Sequence, residues 1–201
     1  MTRVARAGGV FVVLYIAAWA LSLGELLGGF ADPDRFFIER FEDGATRIRD
    51  MGASYLLALA GLSFAWFSRE LADGSPSRGP TLRLTGYAAA AAMLLAAVAA
   101  ATTPMSVWLG ALFDDPGIQQ GQGVLPQFAY VALAMGAMLP AGILIITAAR
   151  PPSLLPRWLE YASYPVGGLV AIAAVTFLPL LIFPIWMIAV VIALWRPAAP
   201  T

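Results

Sequence analysis

The stretch LTGYAAAAAMLLAAVAAATT, residues 84–103, decides the fold. It has no charged side chain over 20 residues, and a helix of that length extends about 30 Å, the thickness of the hydrocarbon core of a membrane. Alanine recurs every four residues within it, at Ala88, Ala92, Ala96 and Ala100. Because small side chains let helices approach closely, we predict a membrane-spanning helix inside a helical bundle.

Apolar blocks of similar length lie on both sides of this stretch. The six predicted spans cover residues 9–30, 51–67, 84–103, 125–149, 158–176 and 179–195. The last two share a tract of 38 residues, 158–195, which is too long for one ordinary span and long enough for two. One span plus a re-entrant segment is the alternative for this tract. Residues 1–201 are therefore predicted to form a single all-α domain, a polytopic transmembrane helical bundle of six spans.

The composition supports membrane insertion and excludes several kinds of chemistry. Hydrophobic residues make up 60% of the chain and charged residues 12%, whereas about a quarter of an average soluble domain is charged. The net charge is zero, so nothing indicates a nucleic-acid partner. The chain has no Cys, His or Lys, which removes thiolate nucleophiles, imidazole bases and the usual ligands of transition metals. We predict no cofactor, no metal site and no catalytic residue.

The distribution of arginine predicts the orientation, because basic residues concentrate in cytoplasmic loops. If the N-terminus is cytoplasmic, six spans leave eight arginines inside, namely Arg3, Arg6, Arg69, Arg78, Arg83, Arg150, Arg157 and Arg196. Four lie outside: Arg35, Arg40, Arg47 and Arg49. The absence of Lys and the abundance of Ala indicate a GC-rich bacterial genome. The prediction is a bacterial plasma (inner) membrane protein with both termini in the cytoplasm.

The first extracytoplasmic loop carries a helical pattern. Asp32, Pro33 and Asp34 resemble an N-cap followed by a helix start. Apolar or small residues then follow at spacings of three and four, at Phe37, Phe41, Ala45, Ile48 and Gly52. This spacing predicts an amphipathic surface helix that bends near Gly44 and continues into the second span.

Prolines and polar residues predict where the spans end or bend. Residues 68–83 are rich in Gly, Ser and Pro and indicate a flexible loop. Pro104 is expected to end the third span, with a short interfacial helix after it. Pro140, Pro165 and Pro184 lie inside predicted spans, where each removes one backbone hydrogen bond and frees a carbonyl about one turn earlier.

Glu25 is the acidic residue that lies well inside a predicted span, and an ionisable group in that position is a candidate functional site. Roughly ten strongly apolar residues in the same span contribute about −3 to −6 kcal/mol to insertion, against a cost of about 2.5–3.5 kcal/mol for the charge. Glu25 lies near the level at which Arg47 or Arg49 enters the second span, so an ion pair or a hydrated pocket is expected. A structural tether and a ligand or proton site both remain open.

Three arginines on the predicted cytoplasmic side are candidates for binding anionic lipid head groups: Arg150, Arg157 and Arg196. They follow or precede apolar spans, at the level where phosphate groups of the inner leaflet lie. We expect membrane lipids to be partners of the chain.

Three stretches, spread over most of the chain, resemble a known layout. Residues 155–159, LPRWL, open the fifth span; residues 47–49, RIR, lead into 53–57, ASYLL; and residues 185–188, IWMI, precede Arg196. This layout resembles a family of uncharacterised polytopic membrane proteins that is common in actinobacteria and classified as a domain of unknown function. Glu160 and Tyr161 depart from the more apolar continuation of that pattern. The resemblance implies six helices and no particular activity.

Three functions remain open. The first is a non-enzymatic accessory subunit or scaffold that contacts lipids, other membrane proteins or a second copy of the chain. The second is a small-molecule or lipid transporter or channel that uses Glu25 and the proline-kinked helices. The third is an intramembrane enzyme that modifies lipids, which ranks last because the chain lacks His, Cys and Lys.

Overall fold

The computed structural model describes residues 2–23, 40, 43–113, 124–172, 176 and 178–195. All of the regular secondary structure in these residues is helical, which confirms the all-α class. The α-helices are α1 (Arg3–Ala18), α2 (Gly44–Asp73), α3 (Gly79–Phe113), α4 (Val124–Val131), α5 (Met138–Ala149), α6 (Arg157–Ile172) and α7 (Leu178–Trp195). Short π-helical segments extend α1 over Trp19–Leu23 and join α4 to α5 over Ala132–Ala137.

Five helical segments within these residues are long and apolar enough to cross a membrane, as a multi-pass membrane protein requires. They are Arg3–Leu21, Gly44–Asp73, Gly79–Leu109, Val124–Ala149 and Leu178–Trp195. Helix α6 has 16 residues, and its length of about 24 Å falls short of a hydrocarbon core of about 30 Å. A complete sixth span would need residues 173–175, which lie outside the described part, so six spans remain a prediction.

The helices pack in chain order and close into a ring, because α7 returns to α1. Thr2 Oγ1 donates a hydrogen bond to the Leu194 carbonyl (3.4 Å), and a Cβ built on Gly8 would contact Phe67 and Val191. The start of α1 therefore lies beside the ends of α2 and α7. We call this end of the helical bundle, which includes Arg3, Arg6 and Arg69, the arginine-rich end. The opposite end of the bundle, where α2 begins, is called the Asp43 end.

Helices α2 and α3 are longer than the sequence pattern predicted. The loop predicted over residues 68–83 is present but confined to residues 74–78, since α2 continues to Asp73 and α3 starts at Gly79. Pro104 does not end the third span, because it lies inside α3, which continues to Phe113. A proline removes one helix hydrogen bond, and nearby hydroxyls bond to the backbone here: Thr102 Oγ1 donates to the Val98 carbonyl (2.7 Å).

The amphipathic surface helix predicted before the second span lies mostly outside the described residues and remains a prediction. Helix α2 begins at Gly44, behind the extended N-cap residue Asp43, so the described residues have a helix start where the sequence predicted a bend. Within α2, Ile48 is 74% exposed, whereas Asp50 is fully buried. The proposed N-cap at Asp32 lies outside the described residues.

Small residues set the closest helix contacts. A Cβ on Gly142 would lie 2.6 Å from the Gly167 carbonyl oxygen, so α5 and α6 touch backbone to backbone. In α3 the four-residue alanine row drifts off the packed face, because four residues advance a helix by about 40° more than one turn. Ala96 and Ala100 are buried, while Ala88 is exposed.

An aromatic cluster fills the space between α1, α2 and α7. The rings of Phe11, Phe64 and Phe183 have centroids 5.2–5.6 Å apart in all three pairs. Tyr15 and Phe67 extend the cluster, and all five side chains are essentially without exposed surface. The cluster joins the first, second and last described helices into one core.

Candidate functional site

Among the described residues, a buried ion pair at the Asp43 end joins Arg40 to Asp50. Arg40 Nε and Nη2 donate to Asp50 Oδ2 and Oδ1 at 2.8 and 2.9 Å. The Asp50 side chain is 0% exposed and that of Arg40 is 11% exposed. Two parallel hydrogen bonds are the strong geometry for a guanidinium and a carboxylate, so this pair fixes the chain before α2 onto the bundle.

Sequence reasoning missed this pair. Asp50 lies three, four and seven residues before Ala53, Ser54 and Leu57, all of which are buried. A charge on the buried face of a helix requires a partner, and this spacing was the available signal. The partner could not be read from the sequence, because Arg40 lies ten residues away in the preceding segment.

The predicted contact between Glu25 and the arginines of α2 remains a prediction, since Glu25 lies outside the described residues. Arg47 and Arg49 do lie in the first turns of α2, on different faces. Arg47 is half-buried, and its Nε is enclosed without a hydrogen-bond acceptor among the described residues. Arg49 is exposed and is not without an interaction partner.

Asp43 supplies the N-cap of α2. Its carboxylate accepts hydrogen bonds from the Ala45 and Thr46 backbone N–H groups (3.2 and 3.1 Å) and from Thr46 Oγ1 (2.8 Å). The Thr46 hydroxyl, the two backbone N–H groups and the nearby Arg47 charge hold the pKa of Asp43 below its usual value. The carboxylate therefore remains ionised at neutral pH and stabilises the start of the helix.

At the arginine-rich end, Arg78 binds the last carbonyls of α5. Its Nη1 donates to the carbonyls of Thr147 (3.1 Å) and Arg150, and its Nη2 donates to that of Pro152. The last carbonyls of a helix lack partners within it, so the α2–α3 turn caps α5. Arg78 therefore has a structural role, since it links the α2–α3 turn to the end of α5.

The three lipid head-group candidates have different outcomes. Arg150 and Arg157 are exposed at the arginine-rich end, after α5 and at the start of α6. Arg196 lies outside the described residues. Lipid binding by these arginines remains a prediction.

Prolines in the spans release backbone carbonyls, and one of these is used between helices. Pro184 has no N–H, which leaves the carbonyl of Leu180 without its helix donor. The Tyr15 hydroxyl donates to that carbonyl at 3.2 Å, inside the core. Trp186 Nε1 similarly donates to Ser163 Oγ at 2.9 Å between α7 and α6.

The surface carries grooves between helices. The upper α2–α3 groove has a volume of about 530 Å³ and lies at the Asp43 end. It is lined by Gly44, Arg47, Ile48, Met51, Met105 and Trp108. The lower α2–α3 groove, of about 510 Å³, shares Met51 with it and continues along the same two helices. A third groove, of about 600 Å³, lies at the arginine-rich end beside Arg6, Trp66 and Trp195.

Among the residues that the structure covers, no three His, Cys, Asp or Glu side chains lie close enough together to hold a metal ion. Comparisons with family models, curated proteins and solved structures find no match to this chain. The family resemblance described above therefore remains a prediction.

Proposed function

We propose that the chain is a non-enzymatic integral membrane protein, a scaffold or accessory subunit that contacts partner proteins or lipids. The observation that carries the proposal is the use of buried polar groups between helices. Tyr15, Asp50 and Ser163 each bond to another segment of the described chain. Such contacts stabilise one arrangement of helices, which suits a protein that presents a constant surface to its neighbours.

The aromatic cluster supports this proposal. Phe11, Phe64 and Phe183 occupy the space between α1, α2 and α7, where a path for a polar substrate would need room. The three grooves described above open onto the outer surface, where lipids or neighbouring proteins bind. Self-association and binding to another membrane protein are both included in this proposal.

Purification in a mild detergent tests the proposed scaffold function. The expected result is stoichiometric recovery with a second protein, a second copy of the chain or retained lipid, measured by native mass spectrometry. Repeated recovery as a monomer free of protein and lipid would contradict the proposal.

The orientation is proposed to be six spans with both termini in the cytoplasm of a bacterial inner membrane. Seven described arginines lie at the arginine-rich end, namely Arg3, Arg6, Arg69, Arg78, Arg83, Arg150 and Arg157, against three at the Asp43 end. This asymmetry agrees with the preference of basic residues for the cytoplasmic side. Compartment-specific reporters fused to each terminus should both report the cytoplasm; opposite compartments would contradict six spans.

A transporter or channel is the second candidate, favoured by the π-helical segment Ala132–Ala137 just before Pro140. Such wide turns relax a helix ahead of a proline and are frequent at functional sites. Glu25→Gln separates the two functions. A tether should lose thermal stability in detergent, whereas a transporter should keep its melting temperature and lose flux in vesicles. Glu160→Gln, at the start of α6, is the control.

A further inference from the structure

The upper and lower α2–α3 grooves form one track along the bundle. They share Met51, and the lower groove continues past Gly52 and Ala58 on α2 and Ala97 and Ala101 on α3. The residues of the lower groove are apolar or small apart from Ser54 and Tyr55. The track therefore has a floor of small residues and walls of longer apolar side chains.

Arg47 supplies a positive charge at the upper end of this track. Arg47 is half-buried and lines the upper groove together with Met51, Met105 and Trp108, and its Nε finds no acceptor among the described residues. The nearby Asp43 carboxylate already accepts three hydrogen bonds at the start of α2. A planar guanidinium binds phosphate oxygens through two parallel hydrogen bonds, so an anionic phosphate suits this end of the track.

The length of the track matches one membrane leaflet. Arg47 and Ala58 are eleven positions apart on α2, which is about 16 Å along the helix axis. Half of a hydrocarbon core of about 30 Å is about 15 Å. Trp108 lies at the level of Arg47, and tryptophan favours the boundary between the hydrocarbon and the head groups.

We propose that this track binds one anionic phospholipid of the leaflet at the Asp43 end. Its phosphate binds Arg47 and one acyl chain lies along α2 and α3 past Gly52. The inference deepens the proposed function, since it names the lipid class that the scaffold contacts. It rests on the chain being embedded in a membrane and does not require a protein partner. The Arg6 groove is a weaker candidate because Arg6 is exposed.

Two pairs of variants test the head and the tail of this lipid separately. Arg47→Gln removes the charge in the track, and Arg49→Gln removes an equal charge two residues away outside it. Gly52→Leu fills the track, since a Cβ at Gly52 would meet no atom within 4 Å. Gly168→Leu, on α6, is the matched control because a Cβ there also meets no atom within 4 Å.

Each protein is reconstituted in vesicles of equal parts phosphatidylglycerol and phosphatidylcholine, extracted, and measured by native mass spectrometry. The wild type should retain phosphatidylglycerol over phosphatidylcholine by about fivefold. Both lipids offer a phosphate, but only phosphatidylglycerol has a net negative charge, which contributes about 1 kcal/mol per nearby arginine. Arg47→Gln should lose this preference and Gly52→Leu should lose the retained lipid, while both controls keep them. Gel filtration establishes that each variant is folded and monodisperse.

Three outcomes would overturn the inference: equal retention of both lipids by the wild type, equal losses for Arg47→Gln and Arg49→Gln, or equal retention by Gly52→Leu and Gly168→Leu. A second protein chain protecting the track in place of lipid would overturn it as well. If the lipid test fails, the proposed scaffold function can still be tested by co-purification with protein partners. Conversely, a chain without protein partners can still retain the lipid.

Discussion

The α2–α3 pair is closed near the arginine-rich end and open near the Asp43 end. In the closed half, a Cβ on Gly86 would overlap the Ser68 side chain, and a Cβ on Gly61 would lie 3.2 Å from the Ala90 carbonyl oxygen. In the open half, a Cβ on Gly52 would meet nothing within 4 Å. Both halves contain small residues, so small side chains alone do not decide where two helices touch.

The turn between the helices explains the difference. Residues 74–78 join α2 to α3 at the arginine-rich end and hold the two backbones together there. Packed helices cross at an angle and separate with distance from their closest point. The open half, which no such turn joins, leaves space for a ligand and is stabilised by the Arg40–Asp50 ion pair.

Among the variants proposed, the largest loss of stability is expected for Asp50→Ala in the open half. Asp50→Ala removes the carboxylate that the buried Arg40 guanidinium binds, and loss of one partner of a buried pair costs about 3–5 kcal/mol. Unfolding in mixed detergent micelles, followed by circular dichroism, measures this loss. The double variant Arg40→Leu with Asp50→Leu should recover much of it. A loss no greater than that for Asp73→Ala at the surface would contradict the assigned role.

A smaller loss is expected in the closed half. Gly86→Ala forces a methyl group against Ser68, and overpacking typically costs about 1–3 kcal/mol. Gly52→Ala is the matched control in the open half; it should be neutral or stabilise by up to about 1 kcal/mol, because Ala favours helices over Gly. The same unfolding measurement checks both variants. Equal behaviour would show that the two halves do not differ in packing.

Surface charges beside the closed half should matter less. Asp73 pairs with Arg83 and lies 3.9 Å from Arg69, and the side chains of Asp73 and Arg83 are 45% and 50% exposed. Exposed ion pairs contribute about 0–1 kcal/mol. Asp73→Asn should therefore lower stability by less than about 1 kcal/mol, and added salt should reduce the difference. A loss comparable to that of Asp50→Ala would contradict this ranking.

The smallest effect is the pH dependence of the N-cap at the open end. Because folding lowers the pKa of Asp43, its stabilisation is complete above the unfolded-state pKa and is lost as pH falls through the lower folded-state value. The difference in melting temperature between the wild type and Asp43→Asn should thus shrink on acidification from pH about 6 to about 3. A difference that is independent of pH would argue against ionisation as its source.

The sequence predicted most of the apolar helices because insertion depends mainly on local composition. Residues 84–103 are uncharged, and this alone placed them in a helix that crosses a membrane. The sequence predicted the helix ends less well. Pro104 was expected to end the third span but lies within α3. A proline is tolerated inside a membrane helix because neighbouring groups satisfy the backbone carbonyl that it frees. Residues 68–73, four of which are polar or charged, also continue α2 beyond its most apolar part.

The candidate sites were less predictable because they depend on contacts between segments. Arg47 was identified from its position at the start of the second span, but its groove requires Met105 and Trp108 from α3. Asp50 was not identified, because its partner Arg40 reaches it only through the fold. Pro184 was predicted to free a carbonyl, and only the packing of α1 on α7 brings the Tyr15 hydroxyl to it.

Hydropathy and helix length, which the sequence by itself determined, established an all-α protein with several apolar helices. They are local properties, summed over about 20 neighbouring residues. The tertiary structure alone decided which face of each helix is buried, where α2 and α3 separate, and which polar groups meet. These features depend on the positions of residues distant in the chain, which no local pattern specifies.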